Sequence, residues 1–163
     1  VKGLFGFRKG WFLYTPIMFV ACLGFIYWLK QSKTFATASL ILAVLYLYVA
    51  FSWWCWWYGG SFGMRALIDL YPLLAFPLGA LIEHYSSGNQ KHAVLRYAVP
   101  IIIALLILLN QWQTFQYRKG ILHYDGMNAR LYATIFWRLH YPQGYDELVE
   151  RPDYEKAKKG IDR

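Results

Sequence analysis

The segment from Ser52 to Arg65, SWWCWWYGGSFGMR, holds the densest concentration of residues able to do chemistry. Gly59 and Gly60 permit a tight turn and let a ligand approach the backbone closely. Ser61, Phe62 and Gly63 can open a helix, whose free amides and positive dipole end favour an anion. Arg65 carries a permanent charge and grips phosphate oxygens in bidentate fashion. Asp69 lies one turn further on and can orient that guanidinium. The faces of Trp56 and Trp57, with Trp53 and Trp54 before them, are platforms for a sugar or a prenyl chain. Together these residues describe a site for a lipid-linked phosphate near a membrane surface.

Each feature also has a plainer role. Four tryptophans at the end of an apolar block form an interfacial belt. Arg65 and Asp69 can neutralise one another as a structural pair, or Arg65 can snorkel from a shallow position. A glycine pair between helices serves simply as a turn. The functional reading rests on their coincidence within one short stretch. It also rests on ionisable residues in membrane segments marking function by default.

Composition says what must position them. The chain has 163 residues, 58% hydrophobic and only 16% charged, where an ordinary soluble domain is about 25% charged. Its apolar residues gather in blocks, and a bilayer core needs roughly 20 of them per helix. The blocks predict spans at residues 11–29, 35–54, 61–85 and 94–112, making residues 1–117 a transmembrane bundle. Pro16 falls in the first turns of its span, with Trp11, Tyr14, Tyr27 and Trp28 near the two interfaces. In the third span, Pro72 and Pro77 leave the carbonyls of Ile68 and Leu73 without their usual partners. That helix is therefore expected to face a bundle interior or a cavity.

Residues 118–163 read as a membrane-surface tail. Asp125 is expected to cap a helix over about 126–139, whose apolar residues Leu131, Tyr132, Ile135, Phe136 and Leu139 recur at helical spacing. The residues from Tyr145 onward are charged and predict a frayed end with little core. The expected fold is thus an all-α integral membrane protein: about four transmembrane helices plus a C-terminal amphipathic surface helix.

The net charge of +8 suits anionic lipid headgroups or lipid-linked phosphates better than nucleic acid, because the basic residues fall between and after the apolar blocks. Four spans put the amino end, the tryptophan loop and the tail on one side, opposite the KQSK and HYSSGNQKHAVLR loops. Both sides carry several Lys and Arg, so charge does not decide orientation. Cys22 and Cys55 lie in apolar surroundings at different depths and read as packing residues. His123, Asp125 and His140 match no strong zinc spacing, so turn and cap roles are expected for them. No Walker motif, G-x-S-x-G elbow or H-E-x-x-H is present. A transporter with a proline-broken helix would want an inverted repeat, and no second half echoes S-F-G-M-R.

The stretch W-W-Y-G-G-S-F-G-M-R, followed by Tyr71-Pro72 and Pro77, resembles the late membrane segment of multi-pass bacterial glycosyltransferases of the GT-C superfamily. These are relatives of the dolichyl-phosphate-mannose protein mannosyltransferases. The opening L-F-G-F-R-K-G-W-F-L-Y-T-P-I (Leu4 to Ile17) and the later G-I-L-H-Y-D-G-M-N (Gly120 to Asn128) are similar to theirs too. The resemblance implies sugar transfer from a polyprenyl-phosphate donor on the extracytoplasmic face of a bacterial inner membrane. It implies no cofactor beyond that lipid-linked sugar. Arg65 would stabilise the departing phosphate. The acidic base that such enzymes carry in an early extracytoplasmic loop has no equivalent here, and Asp69 substitutes only if a cavity reaches it. Val1 is not an initiator methionine, so the chain reads as the end of a longer protein. The alternative is a non-catalytic membrane subunit that packs with partner membrane proteins.

Overall fold

The computed structural model describes residues 1–87 and 93–161, so part of the expected HYSSGNQKHAVLR loop lies outside the described residues. Among the described residues every regular element is helical. A short α1 (Lys2–Phe5) precedes the first apolar block.

That block does not form one span. Thr15 and Pro16 divide it into α2 (Trp11–Tyr14) and α3 (Ile17–Gln31). Pro16 is the N-cap of α3, where its missing N–H costs nothing. At 1.5 Å per residue, the 15 residues of α3 reach about 22 Å, short of a hydrocarbon core of about 30 Å. Trp11 and Tyr14 are buried in protein instead of lying at an interface.

Among the described residues, three helical stretches are long and apolar enough to cross a membrane. They are α4 (Lys33–Ser52), a 3₁₀ segment (Arg65–Leu70) running into α5 (Tyr71–Ser86), and α6 (Ala93–Arg118). Their outward faces agree with that reading. The most apolar stretch of α6 has no buried residue, and Val49, Phe76 and Leu108 are each more than 60% exposed. Apolar faces of this extent suit lipid, not water.

Inside, α3 makes its most extensive contact with α5 and also packs on α4. Small residues set the spacing, as is usual between helices in lipid. Ala36, Ala43 and Ala50, every seventh residue, are the buried positions of α4. A Cβ on Gly24 of α3 would lie 2.0 Å from the carbonyl oxygen of Pro77 in α5. The prolines interrupt less than expected. Pro72 sits in the first turn of α5, and the amide of Tyr71 donates to the Ile68 carbonyl that the sequence left without a partner. Pro77 lies within α5 and is buried.

The tail folds back onto the helices. α6 runs six residues past the expected end of its span, and Gly120, at φ +77°, turns the chain away. α7 (Ala129–Ile135) is shorter than the expected helix, and Asn128 caps it in place of Asp125. The Asn128 carboxamide oxygen accepts from the Leu131 amide at 2.8 Å. A polar ladder on α6 docks α7. Gln116 Nε2 donates to the carbonyls of Ile135, Phe136 and Arg138 at 2.7, 3.2 and 2.9 Å, at and just beyond the end of α7. Gln113 Nε2 donates to the Tyr132 hydroxyl at 2.7 Å, and Trp112 Nε1 to the Phe136 carbonyl at 2.7 Å. Leu131 and Ile135 accordingly pack against Tyr14, Ile121, Leu122 and Met127. The amphipathic helix buries its apolar face in protein.

Nor is the chain end frayed through its described length. α8 (Tyr145–Leu148) and α9 (Tyr154–Lys158) follow, and Asp153 caps α9. Ala157 is fully buried against the tryptophan loop.

Candidate functional site

The loop between α4 and the 3₁₀ segment turns sharply. Tyr58 and Gly59 are both left-handed, at φ 54° and 64°, a conformation that glycine adopts freely and tyrosine does not. The Tyr58 hydroxyl compensates by donating to the Ala50 carbonyl at 2.7 Å, one of the unpartnered carbonyls ending α4. Gly60 admits the ring of Tyr124 from the tail, which a Cβ would meet at 3.1 Å.

The tryptophans divide. Trp57 is fully buried, with Tyr154 of α9 at 5.6 Å edge-on, Trp56 at 5.7 Å, and the Arg8 guanidinium 5.5 Å from its ring centre. It is a packing residue and cannot be the ligand platform that its position suggested. Trp56 is half-buried, and Trp53 is exposed.

Beneath the loop lies a residue that the sequence reading passed over. Lys9 is 1% exposed. Its ammonium donates to the Ser61 carbonyl and, at 3.2 Å, to the Ser61 hydroxyl. Burial pushes its amine down to about 8; the Asp125 carboxylate opposes that shift and the Arg65 charge adds to it. Asp125 is also buried, with one oxygen accepting from the Tyr154 hydroxyl and the other without a partner among the described residues. In the sequence Lys9 is one of two adjacent basic residues, with Arg8, just ahead of the first apolar block. Nothing in the local sequence marks its burial, which comes from contact with Ser61, 52 positions away.

Ser61 to Gly63 do not open a helix. They are irregular, Gly63 is left-handed at φ 53°, and the 3₁₀ segment starts only at Arg65. The anion site expected at their free amides is therefore not built that way, and Ser61 serves Lys9 instead.

Arg65 and Asp69 are exposed and share a groove of about 400 Å³ with Tyr46, Val49, Ala50 and Tyr58. No ion pair joins them among the described residues. Asp69 accepts instead from the Tyr46 hydroxyl at 2.9 Å, which also reaches the Ala66 carbonyl. The exposed guanidinium therefore faces a groove whose other wall is formed by Tyr46, Val49 and Ala50 of α4.

A larger cleft, about 1010 Å³, opens between the end of α6 and the tail, with Tyr124, Tyr141, Asp146 and Glu147 in its lining. It adjoins the loop through Tyr124 on Gly60 and through Tyr117, whose ring is 5.5 Å from Phe62. His123, also in the lining, spends Nδ1 on the turn, accepting from the amides of Asp125 and Gly126 at 3.1 and 2.8 Å. No group of metal-ligating side chains occurs among the described residues.

Comparison with family models, with curated proteins and with solved structures returns no match in any of the three. Geometry and chemistry carry the functional reading.

Proposed function

We propose that the chain is the carboxy-terminal membrane portion of a glycosyltransferase, moving a sugar from a polyprenyl-phosphate donor to an acceptor on the extracytoplasmic face. α2 and α3 together complete a fourth crossing of a bacterial inner membrane. The observation that carries this reading is the Arg65 groove: an exposed guanidinium, not paired with Asp69, beside the lipid-suited face of α4. A prenyl chain runs along Tyr46 and Val49, and its phosphate meets Arg65. That permanent charge stabilises the phosphate as the sugar leaves it. Ser61, Gly59 and Gly60 shape the adjoining loop and do not themselves bind the anion.

The test is Arg65→Ala in the full protein in lipid nanodiscs, supplied with polyprenyl-phosphate-linked sugar. Losing hydrogen bonds to a charged group, at about 1.5–3 kcal/mol, lowers transfer roughly tenfold to a hundredfold. Arg65→Lys keeps the charge without the fork and falls between. Normal transfer by a folded Arg65→Ala protein removes Arg65 from the site.

A second reading, a non-catalytic membrane subunit, draws on the unburied apolar stretch of α6, which a partner helix can cover. Absence of transfer from the full protein with every donor tried favours the subunit; transfer by the full protein alone excludes it.

A further inference from the structure

We propose that the cleft between the end of α6 and the tail is a carbohydrate subsite that holds the polyhydroxylated part of a substrate.

Its size comes first. About 1010 Å³ matches the upper range of small-molecule sites and exceeds what a single ion or water cluster needs. Its chemistry is mixed in a particular way. Asp146 and Glu147 only accept hydrogen bonds when ionised, and Arg118 only donates. His123 is a donor too: Nδ1 accepts two backbone amides, so the proton of the neutral ring is on Nε2. Burial, and then the charge of Arg151, hold this imidazole below its usual value, in keeping with the neutral form. Hydroxyl groups donate and accept at once, so a ligand bearing several satisfies both sets.

Aromatic rings supply the rest. Tyr124 and Tyr141 line the cleft and remain 52% and 58% exposed. Sugar C–H faces pack on such rings through dispersion and the ring quadrupole. Gly120 makes room for one of them, since a Cβ there would fall 2.4 Å from the Tyr141 hydroxyl oxygen. Neither carboxylate is in an ion pair among the described residues. One guanidinium against two carboxylates leaves no excess positive charge, which disfavours a phosphate here and separates this cleft from the Arg65 groove.

Position completes the argument. The cleft begins where α6 ends, and Tyr124 touches Gly60 of the loop. A glycan seated there lies at the same end of the helices as Arg65. This deepens the proposed transfer reaction and rests on it for the sugar's destination, though not for binding itself.

The experiment is saturation-transfer NMR on the full protein in lipid nanodiscs, free of glycoside detergents. The probes are methyl mannoside, methyl galactoside, methyl rhamnoside and N-acetylglucosamine. At least one is expected to show transfer, weakened at least tenfold by Tyr124→Ala and by the pair Asp146→Asn with Glu147→Gln. These side chains are exposed, and a far-UV circular dichroism spectrum checks that each variant folds. Arg65→Ala is expected to leave probe binding intact. No transfer with any probe, or transfer unmoved by these variants in folded protein, overturns the subsite. Bound sugar without any glycosyl transfer sinks the transferase reading and leaves the subsite standing.

Discussion

Lys9 donates its ammonium protons to both the carbonyl and the hydroxyl of Ser61, a residue 52 positions away. The contact ties the amino end to the tryptophan loop, and Asp125 brings the tail to the same buried place. Three segments distant in sequence thereby meet at one end of the helices.

This pairing carries a pH signature. The Lys9 amine titrates near 8 when folded and near 10.5 when unfolded. Between those values the unfolded chain binds more protons, so stability rises with pH across that window. Below about pH 8 both states are charged and the cost of burying the ammonium is fully present. Thermal unfolding in nanodiscs should show the rise, and Lys9→Met should flatten it. An unchanged slope in that variant would mean that another group titrates.

Gly24→Ala tests the closest helix approach. Its methyl would meet the Pro77 carbonyl, which is backbone and cannot rotate aside. α3 and α5 must separate, at about 1–3 kcal/mol as for other overpacked cores. Gly79 of α5 has nothing within 4 Å of its Cβ position, so Gly79→Ala is the control and should be near neutral or stabilising. Equal midpoints for the two variants would refute the close approach.

Tyr154→Phe removes the hydroxyl that satisfies one Asp125 oxygen while keeping the ring against Trp57. Both buried carboxylate oxygens are then unpartnered, a penalty of about 1–3 kcal/mol. Limited proteolysis should cut ahead of α9 sooner than in the parent. Parent-like protection would show that ring packing alone holds the tail.

Acid should loosen the His123 turn. Its folded value lies below the usual one, so the unfolded state protonates first and stability falls as pH drops through about 6.5. A proton on Nδ1 also ends acceptance from the Asp125 and Gly126 amides. Amide hydrogen exchange at those two residues should accelerate between about pH 7 and pH 5, beyond the intrinsic trend. Exchange that follows the intrinsic trend would place the titration elsewhere.

Much of the helical layout was legible because lipid-suited helices are written in long apolar runs. α4 and α6 lie where those runs lie, and the tryptophan loop falls between helices as its glycines require. The division of the first apolar block into α2 and α3 was not legible, because hydropathy does not register Thr15-Pro16 as a break. The third was started too early, since Ser61 to Gly63 look like a helix start but are held irregular by a left-handed Gly63 and by Lys9. The tail was misread for a similar reason: charged residues from Tyr145 onward suggest fraying, whereas Ala157 and Tyr154 supply the few contacts that anchor it.

By itself the sequence determined that the chain is helical and apolar enough for a membrane, and that its glycines, tryptophans and Arg65 crowd into one short segment. Those properties are local, set by composition and by turn residues a few positions apart. Only the tertiary structure decided which charges are buried, that Arg65 and Asp69 form no ion pair among the described residues, that Trp57 is core, and that a cleft of about 1010 Å³ opens beside the tail. Each depends on segments tens of residues apart coming into contact, and burial is a property of that contact: the same lysine is an ordinary flanking charge on a free chain and a buried donor once Ser61 and Asp125 close around it.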